Sequence, residues 1–176
     1  MNTTVAPVEI IITDANVLIY LYIVGELNSL LRLGIPVVIP DMVRLELVRT
    51  PPFTAVVEVA QWLRDNEPDT VRVASTEVFE QYVRLLLVDP SAKSLGRGEQ
   101  AAGEALYQRI ERGLHGAILL YGDESVPRRD QFVRPIPDFI VPLGVSNYRR
   151  GANALCVPLD GQAILPWAHS LADSLP

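Results

Sequence analysis

From Val8 to Tyr121, short apolar runs alternate with stretches of helical periodicity, and that alternation leaves few folds open. The runs Val8–Thr13, Val37–Ile39, Val71–Ala74 and Ala117–Tyr121 are too short for helices and apolar on successive residues. Such runs suit strands buried on both faces. Between them the spacing predicts helices over Val17–Leu33, from Pro40-Asp41 to the break at Pro51-Pro52, over Phe53–Arg64, from Ser75 to about Val88, and over Glu99–Arg112. Val56, Val57, Ala60 and Leu63 read as the inward face of the Phe53–Arg64 helix, and Ser75, with Thr76 as alternative, reads as the cap of the next. Strands alternating with helices predict an α/β protein, a three-layer α/β/α sandwich around a mainly parallel sheet of four to five strands. After Pro135 the alternation fades among prolines. There Phe139–Val141 and Ala154–Val157 read as edge strands and Leu165–Leu175 as a terminal helix, a tail packed on the outside of the sandwich. The expected organisation is a domain over 1–135 with an extension over 136–176 packed on it.

Composition narrows the class further. Of 176 residues, 49% are hydrophobic and 20% charged, which is globular rather than disordered. The formal net charge of −6 argues against broad, strong nucleic-acid binding, which phosphate contacts dominate. It does not argue against a nuclease whose acids are offset by bound metal. Cys156 is the only cysteine, so there is no disulfide framework within the chain and no cysteine-based zinc site, as suits a reducing cytoplasm. The apolar stretch from Val5 to Val24 is interrupted by Glu9, Asp14 and Asn16 and fails as a membrane span, and the N-terminus does not read as a secretory leader.

Four acids stand at the edges of these segments: Asp14 in IIITDANVLIYL, Glu46 in PDMVRLELV, Glu99 in GRGEQAAGEAL and Asp123 in AILLYGDES. Each alone has a structural explanation. Asp14 and Asp123 could cap helices, Glu99 could favour a helix N-terminus, and Glu46 could be solvated. Together they are harder to dismiss, because open α/β sheets place ligands beyond the carboxyl ends of their strands. Clustered carboxylates repel one another unless a cation lies between them. An acidic oxygen cluster therefore reads as a Mg²⁺ or Mn²⁺ site, with Asn16 placed to orient a carboxylate or water.

The segment IIITDANVLIYL resembles the opening motif of PIN-domain proteins: apolar strand, Asp, small residue, Asn, apolar helix. GRGEQAAGEAL resembles the Gly-x-Gly-Glu helix start of one branch of that family, and ILLYGDESVPR that branch's strand with two acids and an arginine. The resemblance runs roughly from Val8 to Arg134. Glu124 stands where aspartate is commoner, and Pro127 where a small residue is expected. It implies a metal-dependent endoribonuclease, commonly the toxin of a bacterial toxin–antitoxin pair and often a homodimer, for which exposed aromatics on the first helix would be suited. On that comparison Asp14, Glu99 and Asp123 contact the metal directly or through water. Glu46 completes a second metal position or orients the nucleophilic water. Asn16, Glu124 and Arg128 fall on the family's supporting positions, and Arg97 and Arg128, which lie beside the acids, could hold the substrate phosphate. The expected partners are RNA, an antitoxin protein and a second copy, in the cytoplasm and away from membranes.

Two other readings compete. Asp14-Ala15-Asn16 with Gly122-Asp123 partly fits a haloacid-dehalogenase-like phosphatase, with Lys93 as its phosphate-binding lysine. Asn16 counts against it, because the second acid must move protons and an amide does not. The third reading is a PIN-like binding module without activity.

Overall fold

Isoleucine and valine dominate the first strand, and β-branched side chains suit a pleated surface packed on both sides. In the computed structural model, which describes residues 8–174, this strand is β1 (Val8–Ile12), buried along its whole length. Alternate side chains leave it on opposite faces: Ile10 and Ile12 enter one core, and Ile11 the other. The same division runs through β2 (Val37–Pro40) and β4 (Gly116–Tyr121). Val37, Ile39, Ile118 and Leu120 face the first core, and Val38, Leu119 and Tyr121 the second. A sheet apolar on both faces needs covering twice, and this produces three layers.

With β3 (Val71–Ala74) and β5 (Ile140–Gly144), the sheet has five strands in the order β3-β2-β1-β4-β5, all parallel. Ile10 sits opposite Val37 on one side and Ile118 on the other. The chain builds outward from β1 in one direction and then in the other. Its switch point therefore lies between β1 and β4, and a crevice opens there at the carboxyl ends. Thr13 closes that end of β1: its N–H and its buried hydroxyl both donate to the Leu120 carbonyl, at 3.2 and 3.0 Å.

The helices are α1 (Ala15–Ile23), α2 (Ser29–Arg32), α3 (Asp41–Arg49), α4 (Thr54–Asn66), α5 (Glu77–Val88), α6 (Arg97–Glu111), α7 (Val145–Ala154) and α8 (Ile164–Ala172). Helices α1, α4, α7 and α8 cover the first face. Helix α6 covers the second through Ala102 and Leu106, and α5 packs outside it, with Tyr82 against Ala101 and Met42. Helix α3 lies at the carboxyl edge and contributes to both sides, with Val43 and Leu47 inward on one and Met42 on the other. Among the described residues, Glu9 is the one fully buried charged side chain. It faces Arg109 of α6 at 3.1 Å, at the opposite end of the sheet from the crevice. Burial raises its carboxyl above the ordinary range despite Arg109 and Arg72. No helix among the described residues is long and apolar enough to cross a membrane.

Several boundaries differ from the sequence reading. The helix expected over Val17–Leu33 stops at Ile23, because Gly25 adopts φ +74° and its N–H returns to the Tyr22 carbonyl, ending the helix as left-handed glycines do. In α4, Val56 and Leu63 point inward as expected and Ala60 packs partly against the core, but Val57 is 53% exposed, and Ala55 and Val59 complete the buried face instead. Thr76, not Ser75, caps α5, its hydroxyl accepting from the Phe79 N–H. The tail does not simply lie outside the sandwich. Phe139–Val141 overlaps β5, which extends the sheet in parallel, and Ala154–Val157 is the end of α7 and the coil after it. Val145, Tyr148 and Ala152, spaced at helical intervals, are the buried stripe of α7. The terminal helix is α8. Leu175 and residues 1–7, where the apolar stretch from Val5 and the N-terminal reading begin, lie outside the described residues.

Candidate functional site

Asp14 is held where β1 turns into α1. Its Oδ1 accepts from the Asn16 N–H at 2.6 Å, so the capping role is real, and it occupies one oxygen only. Asn16 itself is exposed on the first turn and lines the same cleft as Asp14. Glu46 reaches the site from α3, half-buried. Glu99 reaches it from the first turn of α6, where a helix N-terminus favours negative charge.

Glu46 is seated against a glycine. A Cβ on Gly98 would lie 2.8 Å from Glu46 Oε2 and 3.1 Å from the Thr13 carbonyl, so only glycine lets α6 come this close to β1 and α3. Burial, followed by the charge of Asp14, pushes the Glu46 carboxyl up to about 7; hydrogen bonds from the Gly98 N–H and the Ser94 hydroxyl oppose the shift, and Glu99 adds to it. Glu99 is raised as well, first by burial and then by Asp14. Like charges facing one another disfavour ionisation. These directions thus mark Asp14, Glu46 and Glu99 as one electrostatic cluster.

Asp123 belongs to a different arrangement. Its Oδ1 accepts from the Ser146 N–H at 2.9 Å and its Oδ2 from the Ser146 hydroxyl, which ties the end of β4 to the first turn of α7. It stands at the switch point but is not among the charges acting on Glu46 or Glu99. Glu124 is exposed beside it. Arg128 is also exposed, 3.8 Å from Asp130. Arg97 lies over the Tyr82 ring, 5.0 Å from its centroid.

The cleft beside Asp14 and Glu46 has a volume of about 510 Å³ and is also lined by Arg49, Tyr82 and Lys93. Arg49 donates to the Tyr82 hydroxyl at 2.6 Å, and Tyr82 in turn donates to the Ala92 carbonyl at 2.7 Å, which holds the loop carrying Lys93 and Ser94. The sequence reading did not place Arg49, Tyr82, Ser94 or Ser146 in the site. Arg49 had a signal: it lies three residues after Glu46 and shares its side of α3. The others had none, since nothing local brings a loop serine or a residue on α5 to the end of β1.

In chemistry the cluster fits a hard divalent cation. It offers oxygen donors only, and their mutual repulsion is what a bound cation would relieve. In geometry it is open: among the described residues, no three His, Cys, Asp or Glu side chains are drawn around a common point. The raised carboxyls and the missing convergence agree if the acids feel one another's field without touching.

No family model matches this chain, and neither a curated protein nor a solved structure matches it. What fold and site define together is a three-layer α/β/α protein with an acidic cluster at the carboxyl end of its central strand.

Proposed function

We propose that this chain is a metal-dependent endoribonuclease of the PIN type that cleaves RNA phosphodiester bonds. The observation that carries the reading is the cluster of Asp14, Glu46 and Glu99 beside Arg49 and Lys93 at the rim of a parallel sheet. Asp14 and Glu99 would hold Mg²⁺ or Mn²⁺, with Asp123 as an outer contact. When bound, such an ion polarises a phosphoryl oxygen and lowers the pKa of a coordinated water. Glu46 orients the attacking water or completes a second position. Arg49 and Lys93 line the same cleft as Asp14 and Glu46 and hold the substrate phosphate, the task first assigned to Arg97 and Arg128. Arg97 supports them by stacking on Tyr82.

The partner reading follows from the resemblance. The chain is the toxin of a toxin–antitoxin pair in the cytoplasm, and a basic antitoxin segment enters the acidic groove. Self-association goes with it, although Tyr20 and Tyr22 are half-buried against the core and leave Ile23, 66% exposed, as the apolar residue α1 presents.

One observation favours the phosphatase alternative: Lys93 does share a cleft with Asp14. Structured RNA and a generic phosphomonoester, each incubated with Mn²⁺ and with chelator, separate the readings. RNA cutting that requires both the metal and Asp14, tested with Asp14→Asn, is the expected result. Hydrolysis of the monoester alone would replace the nuclease by the phosphatase. Silence in both assays would leave the inactive binding module.

A further inference from the structure

We propose that the cleft between α6 and the segment 125–134 is a nucleobase subsite, which seats one unpaired nucleotide of the RNA beside the scissile phosphate. The proposal rests on the nuclease reading above. The cleft holds about 490 Å³, within the range of sites that enclose small organic ligands. Tyr107 and Phe132 line it, and Tyr121, 7% exposed, lies beneath them at the end of β4. A buried phenol ordinarily finds a hydrogen-bond partner. The buried Tyr82 and Tyr148 do, donating to the carbonyls of Ala92 and Ser29, and the half-buried Tyr107 donates to that of Arg134. Among the described residues the Tyr121 hydroxyl bonds to no protein group; although the ring is buried, the hydroxyl itself opens onto the cavity and is free to meet a ligand there. A ring-sized space with an unpaired hydroxyl at its base suits a ligand with a flat face and polar edges.

The mouth of the cleft carries a cation. The Arg134 guanidinium lies 5.2 Å from the centroid of the Tyr107 ring, and the Tyr107 hydroxyl fixes the same residue through its carbonyl at 2.8 Å. A guanidinium placed over an aromatic ring brings a planar cation to the mouth of the cleft and a charge for a neighbouring phosphate. Glu104 also lines the cleft, but its carboxylate is engaged by the N–H groups of Glu77 and Val78, at 2.7 and 3.1 Å.

Continuity selects a nucleotide over other flat ligands. Gly96 borders both this cleft and the acidic one, and Glu99, which feels the charge of Asp14, lines this one. A strand with one phosphate beside Asp14 and Arg49 crosses at Gly96 and drops its next base between Tyr107 and Phe132. Only an unpaired strand can turn a base out in this way.

The test is binding of fluorescein-labelled dodecamers to the full chain in chelator, so that cutting is off. Uridine and adenosine dodecamers are compared with an abasic ribose-phosphate dodecamer of equal length. The base-bearing strands should bind on the order of 10-fold more tightly, as one stacked base allows. Phe132→Ala should remove most of that difference, and Tyr121→Phe should lower it several-fold at an unchanged thermal midpoint. Neither should alter binding of the abasic strand. Equal affinity for all three strands would overturn the subsite, as would equal losses on the abasic and base-bearing strands in the Tyr121→Phe variant. Base-dependent binding without Mn²⁺-dependent cutting would keep the subsite and remove the nuclease. Cutting with base-indifferent binding would do the reverse. If Val133→Asp converts a dimer to a monomer and leaves strand binding intact, a second copy covers this cleft and the proposal falls.

Discussion

Glu46 shows how one side chain is decided by its surroundings. A glutamate on a solvated helix face would ionise near the ordinary 4.5, whereas here burial and Asp14 move it to about 7. The folded state therefore holds the proton more tightly than the unfolded chain does. Its contribution is fully present below about pH 4.5 and is lost as pH rises through about 7. In chelator, wild-type stability should fall across that window by about 2 kcal/mol, allowing for the partial solvent access of the carboxyl. Glu46→Gln should flatten the fall, so the variant is the more stable protein at pH 8 and equal to wild type at pH 4. Urea unfolding at the two pH values measures this. A variant less stable than wild type at pH 8 would mean that Glu46 is held by attraction, not crowded by like charge.

At the scale of elements, two aspartates join one strand–helix unit to another. Asp41 opens α3 after β2 and accepts from the N–H and hydroxyl of Thr76 at 2.8 and 2.7 Å, which fixes α5 beyond β3. Asp123, after β4, does the same for Ser146 and α7 beyond β5. Capping interactions of this kind are worth about 1 kcal/mol. Asp123→Ala should thus lower stability in chelator by about 1 kcal/mol. Were Asp123 only one more repelling member of the acidic cluster, the same change would raise stability. Denaturant midpoints decide the sign. The sequence showed Asp123 at the end of an apolar strand but not the serine that receives it, because the two meet only through the pairing of β4 with β5.

At the scale of the molecule, β5 and α8 decide where the chain can be divided. Strand β5 pairs along β4 from Ala117–Ile140 to Tyr121–Gly144, and Val141 and Leu143 fill the same core as Ile118 and Leu120. Ending the chain at residue 135 would bare the β4 edge and that side of the core. Such a truncation should fail to fold cooperatively, read as loss of a sharp thermal transition and of dispersed amide signals. A cooperatively folded 1–135 fragment would show instead that the last segment is an addition to a finished domain.

Local patterns determined a good deal. Apolar runs of strand length separated by helical periodicity require parallel strands covered on both faces, since no other packing buries both sides of such runs. The same patterns put Asp14 and Asp123 past strand ends and Glu99 at a helix start, because polar residues accumulate where buried elements stop. Tertiary structure decided which of these acids meet. Strand order set β1 between β2 and β4, Gly98 let α6 close on Glu46, and Ser146 drew Asp123 aside. Those choices depend on contacts between residues far apart in the chain, and periodicity records the face a residue buries, not the partner it buries against.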